Sequence, residues 1–212
     1  SDAVEAGCQY AVMEVSSHGI DQHRIAGLEY ALGVFTNISH DHLDYHKTFK
    51  EYIRAKKNFF DDLPKTAKCL TNVDDKNGVV MLQNSNAQKF SYALKSNADF
   101  KAKILENEFI GMQLLIDGME FWTPLIGQFN AYNLLAVYSI ARLLNFDKQE
   151  ILTHLSKLKN VDGRFQSFVS PKGISIIVDY AHTPEALENV INTVHSIRSL
   201  GERLFTVFGC GG

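Results

Sequence analysis

The chain has 212 residues, enough for one large domain or for one domain plus part of another. Hydrophobic residues make up 45% and charged residues 21%, and the net charge of −3 supplies no basic stripe for displacing counterions from a nucleic acid. Cys8, Cys69 and Cys210 form no C-x-x-C pair, which fits a reducing cytoplasm, and no apolar run reaches the roughly 20 residues that membrane insertion requires.

Apolar strand-like and amphipathic helical segments alternate along the chain, the pattern of an α/β fold. Tyr10–Val15 and Ala31–Asn37 read as buried strands, each ending in polar residues. Thr48–Leu63 reads as a helix opened by a capping box, Thr48-x-x-Glu51. Ala67–Val73 is a third strand, followed by a turn or helix start at Asp74–Gly78. From about Lys89 to Thr123 the pattern alternates in the manner of a small antiparallel sheet, with Asp117-Gly118 as a tight hairpin turn.

Gly127–Leu144 then reads as a long helix and Asp147–Leu158 as a second, with Asp147 as its N-cap. Lys159–Asp162 is a linker. Beyond it, strand Ile174–Val178, helix Pro184–Leu200 and strand Leu204–Phe208 make one βαβ unit, with Thr183 as cap and Pro184 at the first helical position. The chain opens on Ser1 rather than Met and stops at Gly211-Gly212, so both ends are expected to be cut from a longer polypeptide.

Five places carry chemistry. The first is Glu14-Val15-Ser16-Ser17-His18-Gly19 with Gln22 and Arg24, at the carboxyl end of a strand, where α/β sheets gather ligands. A carboxylate, hydroxyls and a base there suit a metal and an anionic substrate; a polar turn accounts for the same letters. The second is His40-Asp41-His42-Leu43-Asp44-Tyr45-His46, dense enough in imidazole and carboxylate to hold metal. It partly matches the H-x-H-x-D-H run of two-zinc hydrolases, although Tyr45 stands where that run needs its final His. A loop of hydrogen-bonding histidines is the alternative.

The third is Lys56, on the apolar stripe formed by Phe49, Tyr52, Ile53, Phe59 and Phe60, whereas Lys57 is turned about 100° away. A lysine on a buried face tends to lose its proton and become a nucleophile, including towards CO₂, unless its stem lets the ammonium reach water. The fourth is Gly127-Gln128-Phe129-Asn130-Ala131-Tyr132-Asn133, which sets amides near a helix start, for a nucleotide base or for capping. The fifth combines Gly163-Arg164, a fork of donors suited to phosphate, with Asp179-Tyr180-Ala181-His182-Thr183-Pro184, whose carboxylate suits ribose hydroxyls or a helix-opening turn. No G-x-x-x-x-G-K-[ST] phosphate loop is present.

Taken in order, these motifs resemble one family. Glu14-Val-Ser-Ser-His-Gly with Gln22-His-Arg24, Phe35-Thr-Asn-Ile-Ser-His-Asp-His-Leu-Asp-Tyr-His46 and Ala55-Lys-Lys57 are similar to the Mur ligases. So are Phe129-Asn-x-x-Asn133, Gly163-Arg-Phe165, Asp179-Tyr-Ala-His-Thr-Pro-Glu-Ala-Leu187 and Phe208-Gly-Cys-Gly-Gly212. Within that family the wording is that of the ligases adding diaminopimelate or lysine to UDP-N-acetylmuramoyl-L-alanyl-D-glutamate.

The resemblance implies that residues 1–159 are the later part of a central ATPase domain: a mostly parallel sheet with helices plus a small antiparallel sheet. Residues 160–212 would open a Rossmann-like C-terminal domain, and a phosphate loop would precede residue 1. It further implies ATP, two Mg²⁺ ions and a CO₂-derived carbamate on Lys56, with Glu14, His42 and Lys56 as catalytic metal ligands. Ser16, Gln22 and Arg24 would contact the muramoyl dipeptide, and Asn133, Arg164 and Asp179 the nucleotide. A diamino acid would be the second substrate, with neither nucleic acid nor membrane insertion involved. The chain alone is expected to be inactive. Two other readings stay open at this point: a zinc hydrolase using His40, His42, Asp44 and His46, and a non-catalytic relative.

Overall fold

The computed structural model describes residues 2–38 and 46–209, which divide into two compact units, residues 1–90 and 91–212. In the first unit, helices α1 (Asp2–Glu5) and α2 (Ser17–Asp21) precede strand β1 (Leu32–Phe35). Helix α3 (Phe49–Asp61), strand β2 (Lys68–Asn72) and helix α4 (Gly78–Leu82) complete it, with the start of β3 (Gln88–Ala93). β1 and β2 pair in parallel, Leu32 opposite Lys68 and Phe35 opposite Thr71. The Gln88 N–H donates to the Ala67 carbonyl at 3.0 Å.

α3 begins where the sequence placed it, with Thr48 Oγ accepting from the Glu51 N–H at 3.2 Å. The reciprocal half of the capping box differs. Thr48 N–H donates to the His46 carbonyl at 2.6 Å, and the Glu51 carboxylate accepts from the Thr48 hydroxyl instead. The helix buries Tyr52, Ala55, Phe59 and Phe60. It can approach β1 closely because position 33 is glycine: a Cβ there would lie 2.8 Å from Leu63 Cδ1 and 2.9 Å from Phe59 Cε1. Phe59 and Phe60 meet edge to face and join Phe35, Leu63, Cys69, Met81 and Leu82 in the core. Each buried Phe contributes about 1.5–3 kcal/mol by the area it removes from water.

In the second unit β3 pairs in parallel with β4 (Phe100–Glu108), Tyr92 opposite Phe100. β4 continues antiparallel into β5 (Gly111–Ile116) and β6 (Met119–Thr123). The β5–β6 hairpin turns through Asp117 (φ 50°) and Gly118 (φ 76°), the paired positive angles that a two-residue type I′ turn requires. The long helix α5 (Gln128–Leu143) packs on β4, and its Tyr138 hydroxyl donates to the Asp117 carboxylate at 2.6 Å. Burial, together with that carboxylate, raises the Tyr138 pKa.

α6 (Lys148–Leu155) starts at Asp147, whose carboxylate accepts from the Gln149 and Glu150 N–H groups. Strands β7 (Gln166–Val169) and β8 (Ser175–Val178) pair antiparallel, and helix α7 (Pro184–Ile197) follows, capped by Thr183 with Pro184 in its first turn. The parallel strands with helices, plus the small antiparallel sheet, agree with the α/β class read from the sequence.

Two expected strands are absent. Tyr10–Val15 is an irregular segment, with Val12 98% exposed, and Leu204–Phe208 is likewise irregular, with Val207 97% exposed. Both are apolar runs of strand length, but a strand is held by a ladder to a neighbour, and no strand pairs with either among the described residues. The expected βαβ unit is therefore a β7–β8 hairpin followed by a helix. β7 escaped the sequence reading because four residues show too short an alternation to separate a strand from a loop.

No helix among the described residues is long and apolar enough to cross a membrane.

Candidate active site

The first unit gathers one group of predicted residues around the start of α2 and the middle of α3. Ser16 is the N-cap of α2, and its hydroxyl accepts from the Gly19 N–H at 3.0 Å. A helix of five residues keeps this turn short. It is closed by the Gln22 N–H on the His18 carbonyl and the Arg24 N–H on the Gly19 carbonyl, at 2.9 and 2.8 Å. Glu14, Ser16, Gln22 and Arg24 are all exposed on the segments around this turn.

Lys56 is half-buried on α3, its Nζ 5.4 Å from the centroid of the Tyr52 ring. Burial pulls its pKa below the ordinary lysine value, while the Glu14 carboxylate acts in the opposite direction. Desolvation dominates because removing water disfavours the ammonium more than one exposed carboxylate restores it. A lysine held below its ordinary pKa by burial keeps a larger share of the neutral amine, the form that can act as a nucleophile. Lys57 has a different partner: its ammonium is paired with the Asp61 carboxylate one turn on, at 2.6 Å to Oδ2. It is more enclosed than a fully solvated face implies, its side chain being only 13% exposed.

His40, His42 and Asp44 lie outside the described residues. His46, at the end of the same motif, is buried with its Nε2 2.9 Å from Ser17 Oγ. Among the described residues no group of three or more His, Cys, Asp or Glu side chains could hold a metal ion. Ser17 and Tyr52 are visible in the sequence only as members of the Glu14–Gly19 motif and of the apolar stripe; the structure packs both on His46. Two further residues have no site reading in the sequence. Asn72 and Asp75 reach back to residues 36–38: Asn72 Nδ2 donates to the Thr36 carbonyl at 3.0 Å, and Asp75 accepts from the Ile38 N–H at 3.1 Å.

The second unit holds the remaining predicted residues. Asp179 uses both carboxylate oxygens on backbone: Oδ2 accepts from the Phe165 N–H and Oδ1 from the Ala181 N–H, each at 2.7 Å. Each oxygen retains a second lone pair for a further donor. Phe165 has φ 46°, a left-handed angle uncommon for a bulky residue, and is fully buried with Ile126 and Val194, edge to face with Phe129. The carboxylate and the buried ring together hold this angle. The adjacent Arg164 is thereby exposed over the Tyr180 ring, its Cζ 5.2 Å from the centroid, with Tyr180 beside His182.

Asn133 is exposed on α5, and no hydrogen bond joins it to Arg164 or Asp179 among the described residues. Its neighbour Asn130 donates to the Ile126 carbonyl at 2.8 Å rather than accepting from the first N–H groups of the helix, so it does not cap.

A parallel sheet with helices and a small antiparallel sheet, carrying Glu14 just before α2 and Lys56 on α3, match the fold of the Mur ligases. The model of the Mur ligase middle domain matches residues 1–141 and that of the Mur ligase glutamate ligase domain residues 163–212, and the chain belongs to this family. The UDP-N-acetylmuramoyl-L-alanyl-D-glutamate--2,6-diaminopimelate ligase of Parabacteroides distasonis is 56% identical over 99% of this chain. The enzyme of the same name from Cytophaga hutchinsonii is 52% identical over 100%. The chain spans 43% of the length of each relative.

A solved structure of a ligase with that name superposes with a TM-score of 0.78 at 33% identity, covering 100% of this chain and 44% of the other. The MurF ligase of Thermotoga maritima in complex with ADP shares the fold at a TM-score of 0.66 and 20% identity, covering 85% of this chain and 42% of the other.

Proposed function

We propose that this chain is part of a cytoplasmic ATP-dependent carbon–nitrogen ligase that joins 2,6-diaminopimelate to UDP-N-acetylmuramoyl-L-alanyl-D-glutamate in peptidoglycan synthesis. The observation that carries this reading is the 56% identity, across almost the whole chain, to a relative bearing that name. The solved ligase of the same name supports it at 33% identity. Diaminopimelate rather than lysine is the amino acid named for these relatives, which supports that choice.

Residues 1–159 belong, on this reading, to a central ATPase domain and residues 160–212 to the opening of a C-terminal domain; the two family matches, ending at 141 and starting at 163, are consistent with that division.

The reaction has two steps. The γ-phosphoryl group of ATP passes to the D-glutamate carboxylate, giving an acyl phosphate and ADP. The amine of diaminopimelate then attacks the acyl carbon, loses a proton and expels phosphate, leaving an amide. The first step asks the protein for alignment and neutralised charge rather than covalent chemistry.

Ser16, Gln22 and Arg24 would bind and orient the muramoyl dipeptide; the exposure of all three around one turn supports this. Asn133, Arg164 and Asp179 would face the nucleotide, Arg164 being presented by a turn that Asp179 holds. Glu14, His42 and a carbamylated Lys56 would hold two Mg²⁺ ions, which when bound neutralise charge on the transferred phosphoryl group. The exposed carboxylate of Glu14 and the burial-lowered Lys56 fit that role: a neutral amine adds CO₂ and releases a proton, giving the anionic oxygen donor that Mg²⁺ prefers.

The test is ADP release by the full-length protein with both substrates present. Release that requires the muramoyl dipeptide and is faster with diaminopimelate than with lysine is the expected result. Absence of dipeptide-dependent release would overturn the ligase reading, and a preference for lysine would overturn the assignment of the amino acid.

A further inference from the structure

Between α2 and α3 runs a row of side chains that the reaction above does not use. Ser17 is 1% exposed and shares a hydrogen bond of 2.9 Å with His46, itself 7% exposed. The His46 ring lies on Tyr52, with centroids 5.3 Å apart and planes 24° from parallel. Tyr52 is 5% exposed, and over its ring stands the Lys56 amine. The row therefore leads from the residue after Ser16, whose hydroxyl opens α2, to the amine on α3.

Packing alone does not require these residue types. An apolar ring at 46 and alanine at 17 would fill the space, and a buried hydrogen-bonded pair gains only about 0.5–1.5 kcal/mol over exposure to water. What the pair adds is direction: a stacked ring can slide and rotate in its plane, whereas one nitrogen tied to a buried hydroxyl cannot. The pair also joins residues 29 positions apart, so it locks two elements and not one turn.

We propose that His46 is a positioning residue, which through Ser17 on one side and the Tyr52 ring on the other sets the Ser16 turn relative to the Lys56 amine. Its consequence for catalysis rests on the ligase reading.

The test uses full-length enzyme. His46→Phe keeps a ring on Tyr52 and deletes the nitrogen, Ser17→Ala deletes the hydroxyl, and His46→Gln returns an amide nitrogen to the region of Nε2. The measurements are kcat, the KM for each substrate, thermal melting, and acetylation of Lys56 and Lys57 by acetic anhydride in CO₂-depleted buffer, read by peptide mass spectrometry.

His46→Phe and Ser17→Ala are each expected to lower kcat by about tenfold, with the double variant within about twofold of the worse single one because both remove one shared interaction. The KM for ATP should stay within about twofold, and His46→Gln should recover to within about threefold. Lys56 acetylation should change by at least about threefold in both single variants while that of Lys57 does not, since amine reactivity follows its local environment.

Multiplying losses in the double variant, or lower melting with kcat and Lys56 labelling unchanged, would overturn the proposal. Should the wild-type enzyme release no ADP, the ligase reading fails separately, and Lys56 labelling alone then decides whether His46 positions the amine.

Discussion

Replacing Phe165 tests whether its backbone angle and its burial are both set by the surrounding structure. The ring is fully buried among Ile126 and Val194 and meets Phe129 edge to face at 5.2 Å. Truncation to alanine should therefore cost about 3–5 kcal/mol, the usual range for emptying a Phe site. Truncation to glycine removes the same ring but also removes Cβ from a residue at φ 46°. At an ordinary position glycine is worse than alanine by roughly 0.5–1 kcal/mol, because its unfolded chain is more disordered. In the left-handed region the Cβ itself costs about 1–2 kcal/mol, so the order should reverse and glycine should be ahead by about 0.5–1 kcal/mol. Urea unfolding of this chain, followed by fluorescence of Trp122, its single tryptophan, measures both variants. Trp122 lies on β6 in the same unit as Phe165, so it reports the right structure. Alanine more stable than glycine at 165 would refute the strained-turn argument, and a loss below about 2 kcal/mol for either variant would refute the burial argument.

Lys56→Ala in full-length enzyme should abolish acyl-phosphate formation and Lys56→Arg should not restore it, because an anionic donor is wanted and not a cation; Lys57→Ala should leave activity nearly intact, as that lysine is engaged with Asp61. Short carboxylates added to Lys56→Ala should return part of the rate, and full activity in that variant, or equal damage from Lys57→Ala, would remove Lys56 from the mechanism. Arg24→Ala should raise the KM for the muramoyl dipeptide by roughly tenfold to a hundredfold, the loss of one charge-assisted contact of about 1.5–3 kcal/mol. A raised KM for ATP instead would move Arg24 elsewhere. For Asp147, the N–H groups of Glu150 and Gln149 hold the carboxyl below its ordinary pKa. A depressed folded pKa means stability fully present above the unfolded value of 3.8 and lost as pH falls through the folded one. Asp147→Asn, which still caps, should therefore flatten the acid side of the stability profile, and an unchanged profile in urea titrations would show that this carboxylate contributes nothing there.

What could be read from the letters was what neighbours along the chain decide. The caps at Thr48, Asp147 and Thr183 each satisfy N–H groups two or three residues away, and the Asp117-Gly118 turn depends on its own two φ angles. The place of Lys56 on an apolar stripe also follows from helical spacing, and burial does lower its pKa. The helical wheel was less informative about Lys57, because spacing gives a direction around the helix but not how far its neighbours cover that side. The ordered motifs carried the family, as the matches to both ligase domains bear out.

Residues far apart in the chain were decided otherwise. Tyr10–Val15 and Leu204–Phe208 have the composition of strands, yet an extended segment becomes a strand only when a neighbour accepts its hydrogen bonds. Asp179 could be read as a ribose ligand or as part of a helix-opening turn; the bond from the Ala181 N–H is local, and only the fold turned its other oxygen toward the Phe165 N–H fourteen residues back. His46 invited comparison with metal ligands because its neighbours in sequence are His and Asp; in space it shares a hydrogen bond with Ser17 and lies against the rings of Tyr52 and His18. Sequence by itself determined the local turns, the amphipathic faces and the family, since these depend on residue type and short spacing. Tertiary structure alone decided which polar atoms are spent on one another, because that depends on which distant segments the hydrophobic core brings within about 3 Å, the reach of a hydrogen bond.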